Sequence, residues 1–409
     1  MLSKKEKVFW SFEFSKIKGF GAFFLYIIKF LHIVQVVQKI RKIFGICAKR
    51  RNFIFSPFLG NFSKIKCRYL TQSAKNIIIE MNYKRMVFKM YYLGIDLGGT
   101  NIAAGIVNDD YKIIKKKSVP TLAHREGREI MKDMGKLCLD LISEAGLTVD
   151  DIAYAGIATP GSANSETGVV EYANNLPFRN FPIAALLTEF TGIKKVYIEN
   201  DANAAAKAEA LAGAAKGAKF SVMITLGTGL GGGIVLDGKV YSGFNFAGAE
   251  LGHVVIEKDG KPCTCGKHGC WETYSSATGL TNMTKEAVLE ARKNGRKTLI
   301  EELINGNVDN CNARVAFTAM KQGDEVGKEV VDRFISYLAC GIANMINIFQ
   351  PNILTIGGGV CNEKDNLLIP LKKKVFEETY TREGSKQTEI KIAELGNDAG
   401  IVGAAVLGL

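Results

Sequence analysis

Two segments of the chain repeat the same order of elements: a strand, a glycine-rich turn and a returning strand. The first segment covers residues 91–107 around AspLeuGlyGlyThrAsn, and the second covers residues 220–236 around GlyThrGlyLeuGlyGlyGly. Helices and further strands are expected after each hairpin. A degenerate internal repeat of this kind predicts two α/β lobes with a cleft between them, where ligands are expected to bind.

Apolar spacing and turn residues predict the elements around these hairpins. In the first unit we expect strands at 111–118, 152–157 and 195–198, a helix at 129–145, a loop at 159–164 and an alanine-rich helix ending near residue 215. In the second unit we expect a glycine turn at 227–233, strands at 239–241 and 352–356, and a long helix at 327–349. The predicted lobes are therefore residues 90–217 and 218–409.

The charge of the chain is unevenly distributed. The 409 residues carry a formal charge of +12 and give a pI of about 9.1, which would suggest nucleic acid or anionic membrane as partners. However, residues 1–89 contain 19 Lys and Arg against three acids, and residues 90–409 carry a formal charge of −4. Neither nucleic acid nor membrane is therefore an expected partner of residues 90–409. The absence of apolar runs of about 18 residues also excludes a protein with several membrane spans.

Residues 1–89 form a basic extension that contains 13 of the 23 phenylalanines. Outside residues 20–37 the extension has no sustained helical or alternating period, and we predict that it is not part of the functional fold. A membrane or targeting segment at 20–37 is the alternative, although Lys29 near its centre would cost about 3 kcal/mol on insertion. Met86 and Met90 are both plausible starts, and a chain beginning at Met90 is expected to fold and act normally.

Three cysteines and a histidine lie close together in the second unit. Nine cysteines in a chain of this length do not make a disulfide scaffold. Four nitrogen and sulfur ligands on one loop are what a closed tetrahedral zinc site needs, and such a site leaves no open position for catalysis. We predict structural zinc in the loop 253–272, with reduced free thiols as the alternative and His268 as a solvated side chain. The predicted ligands, spaced HisX9CysXCysX4Cys, are His253, Cys263, Cys265 and Cys270.

The glycine turns are candidate phosphate sites. The chain lacks the GxxxxGK[ST] sequence of P-loop proteins, but small residues in the turns would let backbone N–H groups approach phosphate oxygens. Asp96, beside the first glycine pair, is placed to hold Mg²⁺ directly or through water. Ordinary turns are the alternative. The candidate nucleotide-binding residues are Asp96, Gly98, Gly99, Thr100, Asn101, Gly227, Thr228, Gly229, Gly358 and Gly359.

Asp201 stands where a predicted strand ends and the alanine-rich helix begins. It could accept a proton from a substrate hydroxyl during phosphoryl transfer, or it could simply cap the helix, and its position alone favours neither. The helix N-terminus is expected to lower the pKa of its carboxyl group. Asn200 would orient further hydroxyls, and Glu250 and Glu272, beside the metal loop, could accept hydrogen bonds from the substrate.

Residues 91–409 resemble the ROK family (repressors, open reading frames and sugar kinases). The resemblance is carried by IleAspLeuGlyGlyThrAsn, GluAsnAspAlaAsn, GlyThrGlyLeuGlyGlyGly, GlyAlaGluLeuGlyHis, CysThrCysGlyLysHisGlyCysTrpGlu and GlyAsnAspAlaGlyIleValGlyAla. It implies an actin-like ATPase fold, with two ribonuclease-H-like lobes and with ATP and Mg²⁺ in the cleft. It also implies Asp201 as the catalytic base. The residues implied to hold a sugar are Asn175, Asn200, Asp201, Glu250, His253 and Glu272.

Within this family the chain is most similar to bacterial members that phosphorylate glucose at its 6-hydroxyl. Kinases for mannose, N-acetylmannosamine, fructose or allose are the alternatives, because single epimeric hydroxyls are read by loop positions that a sequence does not define. A sugar-responsive repressor is a further alternative, but residues 1–89 lack the pattern of a helix-turn-helix domain. The resemblance also implies a cytoplasmic homodimer or homotetramer.

Overall fold

The computed structural model describes residues 90–381 and 384–409, which lie in one compact unit. The extension 1–89, including the candidate membrane or targeting segment at 20–37, lies outside the described residues. Within the described ranges, no helix combines the length and apolar character needed to cross a bilayer.

The elements follow one another in the order that the repeat predicts, with additions in both halves. The strands are β1 (Tyr91–Leu97), β2 (Asn101–Val107), β3 (Ile113–Pro120), β4 (Ile152–Thr159), β5 (Ser162–Asn164), β6 (Val169–Tyr172), β7 (Arg179–Phe181), β8 (Val196–Asn200), β9 (Phe220–Leu226), β10 (Leu230–Leu236), β11 (Lys239–Val240), β12 (Ile353–Gly357) and β13 (Glu389–Ile392). The helices are α1 (Gly127–Glu144), α2 (Ile183–Thr191), α3 (Asp201–Ala212), α4 (Trp271–Ser275), α5 (Ala277–Lys293), α6 (Leu299–Leu303), α7 (Val315–Lys321), α8 (Glu325–Phe349), α9 (Asp365–Glu378) and α10 (Ala399–Ala405).

Two five-stranded sheets share one topology. The first has the strand order β3-β2-β1-β4-β8, and the second has the order β11-β10-β9-β12-β13. In each sheet the opening hairpin is antiparallel and the last two strands are parallel to the first. Because the carboxyl ends of parallel strands meet at one edge, each sheet brings its glycine hairpin close to the strand that follows. The repeated hairpin in the sequence therefore corresponds to a repeated sheet.

Each sheet has its own core. On α1, Ile130, Met134, Leu137 and Leu141 recur every three or four residues and are buried against the first sheet and α2. In the second half α8 is the central helix. The side chain of Asp324 caps its first turn by accepting a hydrogen bond from the N–H of Gly327, and the apolar stripe of the helix is buried with Trp271.

The helix α10 packs closely against strand β4 and against the helix α3. A Cβ added to Gly156 in β4 would lie 1.9 Å from the carbonyl oxygen of Ala404, and one added to Gly403 would lie 2.1 Å from that of Ala204. Both positions therefore require glycine. The helix α10 contacts β1 and β4 of the first sheet although it lies at the far end of the sequence. The division of the lobes at 217/218 remains a prediction, and α10 packs on the first sheet.

The sequence prediction was wrong at two turns. The segment 159–164 is not a single loop, because residues 162–164 form β5 in a small sheet of order β5-β6-β7. The glycine turn predicted at 227–233 covers only 227–229, and the remaining glycines belong to β10. Packing explains the second case: a Cβ on Gly233 would lie 2.5 Å from that of Ala206 on α3, so these glycines allow close approach of a helix rather than a turn.

Candidate active site

The first glycine hairpin joins β1 to β2, and Thr121 holds it through a side-chain hydrogen bond. The Gly98 N–H donates to the Asn101 carbonyl at 2.9 Å, and the Thr121 hydroxyl donates to the Gly98 carbonyl at 2.7 Å. An added Cβ on Gly99 would lie 3.3 Å from the Cβ of Asn175, which places that candidate sugar residue beside the turn. The sequence analysis missed Thr121, since a threonine after a strand gives no distinguishing signal.

The second glycine hairpin joins β9 to β10 and is held by Glu272, the last residue of the metal loop. The Gly227 N–H donates to the Gly229 carbonyl at 3.0 Å, and the Leu230 N–H donates to Oε2 of Glu272 at 2.8 Å. Glu272 therefore already uses one carboxylate oxygen within the protein, and its other oxygen is available to a ligand. Gly358, with φ of +94°, lies against Leu226, so the glycine segment 357–359 at the end of β12 is adjacent to this hairpin.

Asp96 lies near the end of β1, where its carboxylate packs against the backbone of Gly400 at the start of α10. Burial, and then the negative charge of Asp201, raise the pKa of Asp96 from 3.8 to about 6. Among the described residues, no neighbouring cation offsets these two effects. A buried carboxylate of this kind is a suitable ligand for a divalent cation.

Asp201 is the first residue of α3, and the helix cap is its neighbour Asn200. The Oδ1 atom of Asn200 accepts hydrogen bonds from the N–H groups of Ala202 at 3.0 Å and Asn203 at 3.3 Å. Its Nδ2 group donates to the Gly161 carbonyl at 3.2 Å, which leaves one N–H for a ligand. Asn200 is therefore the N-cap residue, and Asp201, one position further along, shares with it the N–H of Ala202.

The predicted direction of the Asp201 pKa was also wrong. Solvent can reach this residue, but protein atoms surround most of its carboxyl group, and this desolvation raises its pKa. The Ala202 N–H donates to Oδ1 of Asp201 at 2.8 Å and lowers the pKa by less than burial raises it. The sequence shows the helix terminus but not the burial, which is the larger effect.

Glu250 interacts electrostatically with three other residues of the candidate site. Burial raises its pKa most, the charge of His253 lowers it, and the charges of Asp201 and Glu272 raise it further. His253, Asp201 and Glu272, which come from both halves of the chain, are therefore within electrostatic reach of Glu250. An acidic cluster that offers several hydrogen-bond acceptors is suited to a ligand with many hydroxyl groups.

The four predicted metal ligands converge. Their ligand atoms all lie within 4.8 Å of one another, and His268, which is exposed, is not among them. The sulfur atoms of Cys265 and Cys270 are 3.6 Å apart, and Sγ of Cys263 lies 3.7 Å from Nδ1 of His253. Tetrahedral zinc with Zn–S bonds of about 2.3 Å would place two sulfur ligands about 3.8 Å apart. The donor set and its spacing therefore fit a zinc ion.

Two ribonuclease-H-like sheets with paired glycine hairpins define an actin-like ATPase fold, and the acidic cluster combines Asp201, which follows β8 of the first sheet, with Glu250 and Glu272, which follow β11 of the second. The sequence profile of the ROK family matches residues 92–409, and the chain belongs to this family.

Similar proteins are known within this family. The chain is 37% identical over 319 residues to a glucokinase of Thermotoga maritima, an alignment that covers 78% of this chain and 96% of the relative. It is 36% identical over 318 residues to a glucokinase of Halalkalibacterium halodurans, covering 78% and 94%. A crystal structure of a ROK family glucokinase from Streptomyces griseus, in complex with glucose and AMPPNP, superposes with a TM-score of 0.64 at 32% identity and covers 78% of this chain and 98% of that one.

Proposed function

We propose that the protein transfers the γ-phosphoryl group of ATP to the 6-hydroxyl group of glucose. The observation that carries this proposal is the position of Asp201, whose carboxyl group lies among the acidic residues Glu250 and Glu272 and within electrostatic reach of Asp96 beside the first glycine hairpin. A sugar and the phosphates of ATP could therefore be held on opposite sides of one carboxylate. Support comes from the relatives named glucokinases and from the glucose and AMPPNP complex of the Streptomyces griseus enzyme.

In this mechanism Asp201 accepts the proton of the 6-hydroxyl group as its oxygen attacks the γ-phosphorus and the bond to the β-phosphate oxygen of ADP breaks. The raised pKa of Asp201 makes its carboxylate a stronger base than an ordinary aspartate. The remaining N–H of Asn200, the free oxygen of Glu272, and Glu250 bind other hydroxyl groups and orient the sugar. Asn175 and His253 complete the proposed sugar contacts. Positioning supplies most of the catalysis, because phosphoryl transfer has a loose transition state.

The backbone N–H groups of the glycine hairpins are proposed to bind the phosphates of ATP. In the first hairpin these groups belong to Gly99, Thr100 and Asn101, and in the second region to Thr228, Gly229, Gly358 and Gly359. Gly98 and Gly227, whose N–H groups donate within the hairpins, would contribute by lacking side chains that could block the phosphates. Asp96 would hold Mg²⁺, directly or through water, and the cation would neutralise phosphate charge. Zinc at His253, Cys263, Cys265 and Cys270 would fix the metal loop 253–272, which includes two of the proposed sugar contacts, His253 and Glu272.

The identity of the sugar is tested by measuring ADP release, with a coupled assay, against glucose, mannose, N-acetylmannosamine, fructose and allose. The largest kcat/KM is expected for glucose. A larger value for another hexose would reassign the substrate within the same reaction. A protein that releases no ADP with any of these sugars, but shifts operator DNA, would instead be a repressor.

An ATP-consuming enzyme whose cysteine cluster must stay reduced is expected in the cytoplasm. A homodimer or homotetramer is expected from the family, and its mass can be measured by light scattering.

A further inference from the structure

A buried carboxylate lies directly before the proposed base. Glu199 occupies the penultimate position of β8, is 6% exposed, and its side chain points to the opposite face of the strand from Ile198, which belongs to the first core. The sequence motif GluAsnAspAlaAsn includes Glu199, but its residue type alone gave no reason to separate it from a surface acid. Burial of a charged group requires compensation, so its partners indicate what it does.

Both carboxylate oxygens of Glu199 accept hydrogen bonds. Oε1 accepts from the N–H of Asn200 at 2.9 Å and from Nδ2 of Asn203 at 3.1 Å, and Oε2 accepts from the hydroxyl of Ser242 at 2.7 Å. Lys207, also buried at 7% exposure, is the neighbouring cation. Burial lowers the pKa of Lys207, and the negative charge of Glu199 offsets part of that shift. The first two hydrogen bonds fix the start of α3, on which Asp201 lies.

Ser242 connects Glu199 to the other half of the site. It follows β11 of the second sheet, and its carbonyl oxygen accepts a hydrogen bond from the Gly248 N–H at 2.9 Å. This bond closes the segment 242–248 into a loop, which leads within two residues to Glu250. We call residues 242–250 the sugar loop. Ser242 therefore closes the start of this loop through its carbonyl oxygen and contacts the first lobe through its hydroxyl group.

We propose that Glu199 is a positioning residue that sets Asp201 and the sugar loop at the correct separation. This inference rests on the proposed function, since it concerns how the two sides of the sugar site are aligned. Glu199 does not touch the sugar in this scheme. It acts through Asn200 on one side and Ser242 on the other, and a displacement of about 1 Å between reacting groups can lower a rate about 100-fold.

Three variants of the full chain distinguish the contact of Glu199 with Ser242 from its contacts with Asn200 and Asn203. Ser242→Ala removes only the contact with the sugar loop. The glucose KM is expected to rise about 10-fold, since hydrogen bonds to charged groups have effects of this size. The ATP KM is expected to change less than about twofold. Glu199→Ala removes all three hydrogen bonds, and kcat/KM for glucose is expected to fall about 100-fold or more. Glu199→Gln keeps an acceptor oxygen for Asn200 and Asn203 and a polar group for Ser242, and should recover most of that loss.

A matched control is Ser336→Ala, which removes a serine hydroxyl that donates to the Asp332 carbonyl at 3.0 Å on the exposed side of α8. It should leave both KM values unchanged. The double variant Glu199→Ala/Ser242→Ala should be no worse than Glu199→Ala alone, because both substitutions break the same link.

The proposal is overturned if Ser242→Ala binds glucose as the wild type does, or if the two single losses multiply in the double variant. It is also overturned if Glu199→Ala lowers only the melting temperature and preserves kcat and both KM values, which would show a purely structural role. Glucose binding is measured by calorimetry as well as by turnover. A wild-type protein that binds glucose but releases no ADP would refute the proposed function and leave the binding comparison decisive, whereas one that does neither would refute both.

Discussion

Replacing Asp96 by asparagine is expected to stabilise the nucleotide-free protein at neutral pH while it destroys the proposed cation site. Burial and the charge of Asp201 raise the pKa of Asp96 from 3.8 to about 6. One pKa unit corresponds to about 1.4 kcal/mol, so the ionised carboxylate costs the folded state about 3 kcal/mol at neutral pH. Asparagine keeps the shape of the side chain and removes this cost.

The pH dependence follows from the sign of the shift. A carboxyl group with a raised pKa binds its proton more tightly in the folded state, so wild-type stability falls as the pH rises from about 4 through about 6 and changes no further above that. The Asp96→Asn protein lacks this dependence, and the difference between the two opens over the same interval. For about 320 folded residues, an unfolding entropy of about 0.7 kcal/mol/K converts 3 kcal/mol into about 4 °C of melting temperature.

The assay is thermal unfolding followed by circular dichroism from pH 4.5 to pH 8, without nucleotide or Mg²⁺. Asp140→Asn, on the exposed side of α1, is the control and should follow the wild type at every pH. Added Mg²⁺ and ATP should raise the melting temperature of the wild type more than that of Asp96→Asn. If the wild type and Asp96→Asn differ by the same amount at pH 4.5 and pH 7.5, Asp96 is not held in a desolvated environment and the reasoning fails.

Three further predictions concern the base, the metal loop and the packing of α10. Asp201→Asn should lower kcat about 10²- to 10⁴-fold with little change in the glucose KM, and near-normal turnover would refute its role as base. Cys265→Ser should lose zinc, measured by mass spectrometry of the metal, and should bind glucose more weakly; full zinc content would contradict the ligand set. Gly156→Ala places a methyl group 1.9 Å from the Ala404 carbonyl and should cost about 3 kcal/mol in urea unfolding, whereas an unchanged midpoint would contradict this packing.

The repeat was sufficient to predict the opening hairpin of each main sheet, because a strand, a glycine turn and a returning strand carry local signals in turn chemistry and apolar spacing. It did not predict β13, the edge strand of the second sheet. The strand predicted at 220–226 has the bounds observed for β9. The small sheet β5-β6-β7 was missed because its strands have three or four residues, too few to show a period. The partner of α10 was also not predictable, since a short run of Gly and Ala does not indicate which sheet it covers.

The candidate site shows the same division between local and tertiary information. Residue types and spacing identified the acids and the metal ligands that the structure brings together, including His253 and Cys263, whose ligand atoms are 3.7 Å apart. The pKa of Asp201 was predicted in the wrong direction because burial depends on the surrounding fold. Glu199 and Ser242 were given no role because their significance lies in a hydrogen bond between residues 43 positions apart.

The packing of α10 on the first sheet determines when that sheet can be completed during synthesis. Strands β1 and β4 emerge from the ribosome early, but Tyr92, Tyr154 and Ile401 form one cluster that needs a residue from near the end of the chain. Until then one apolar face of the sheet stays uncovered, and contacts at such long sequence separation form slowly. A nascent chain stalled before α10 would therefore be a substrate for chaperones, and the two halves are expected to reach their native state together after translation rather than one after the other.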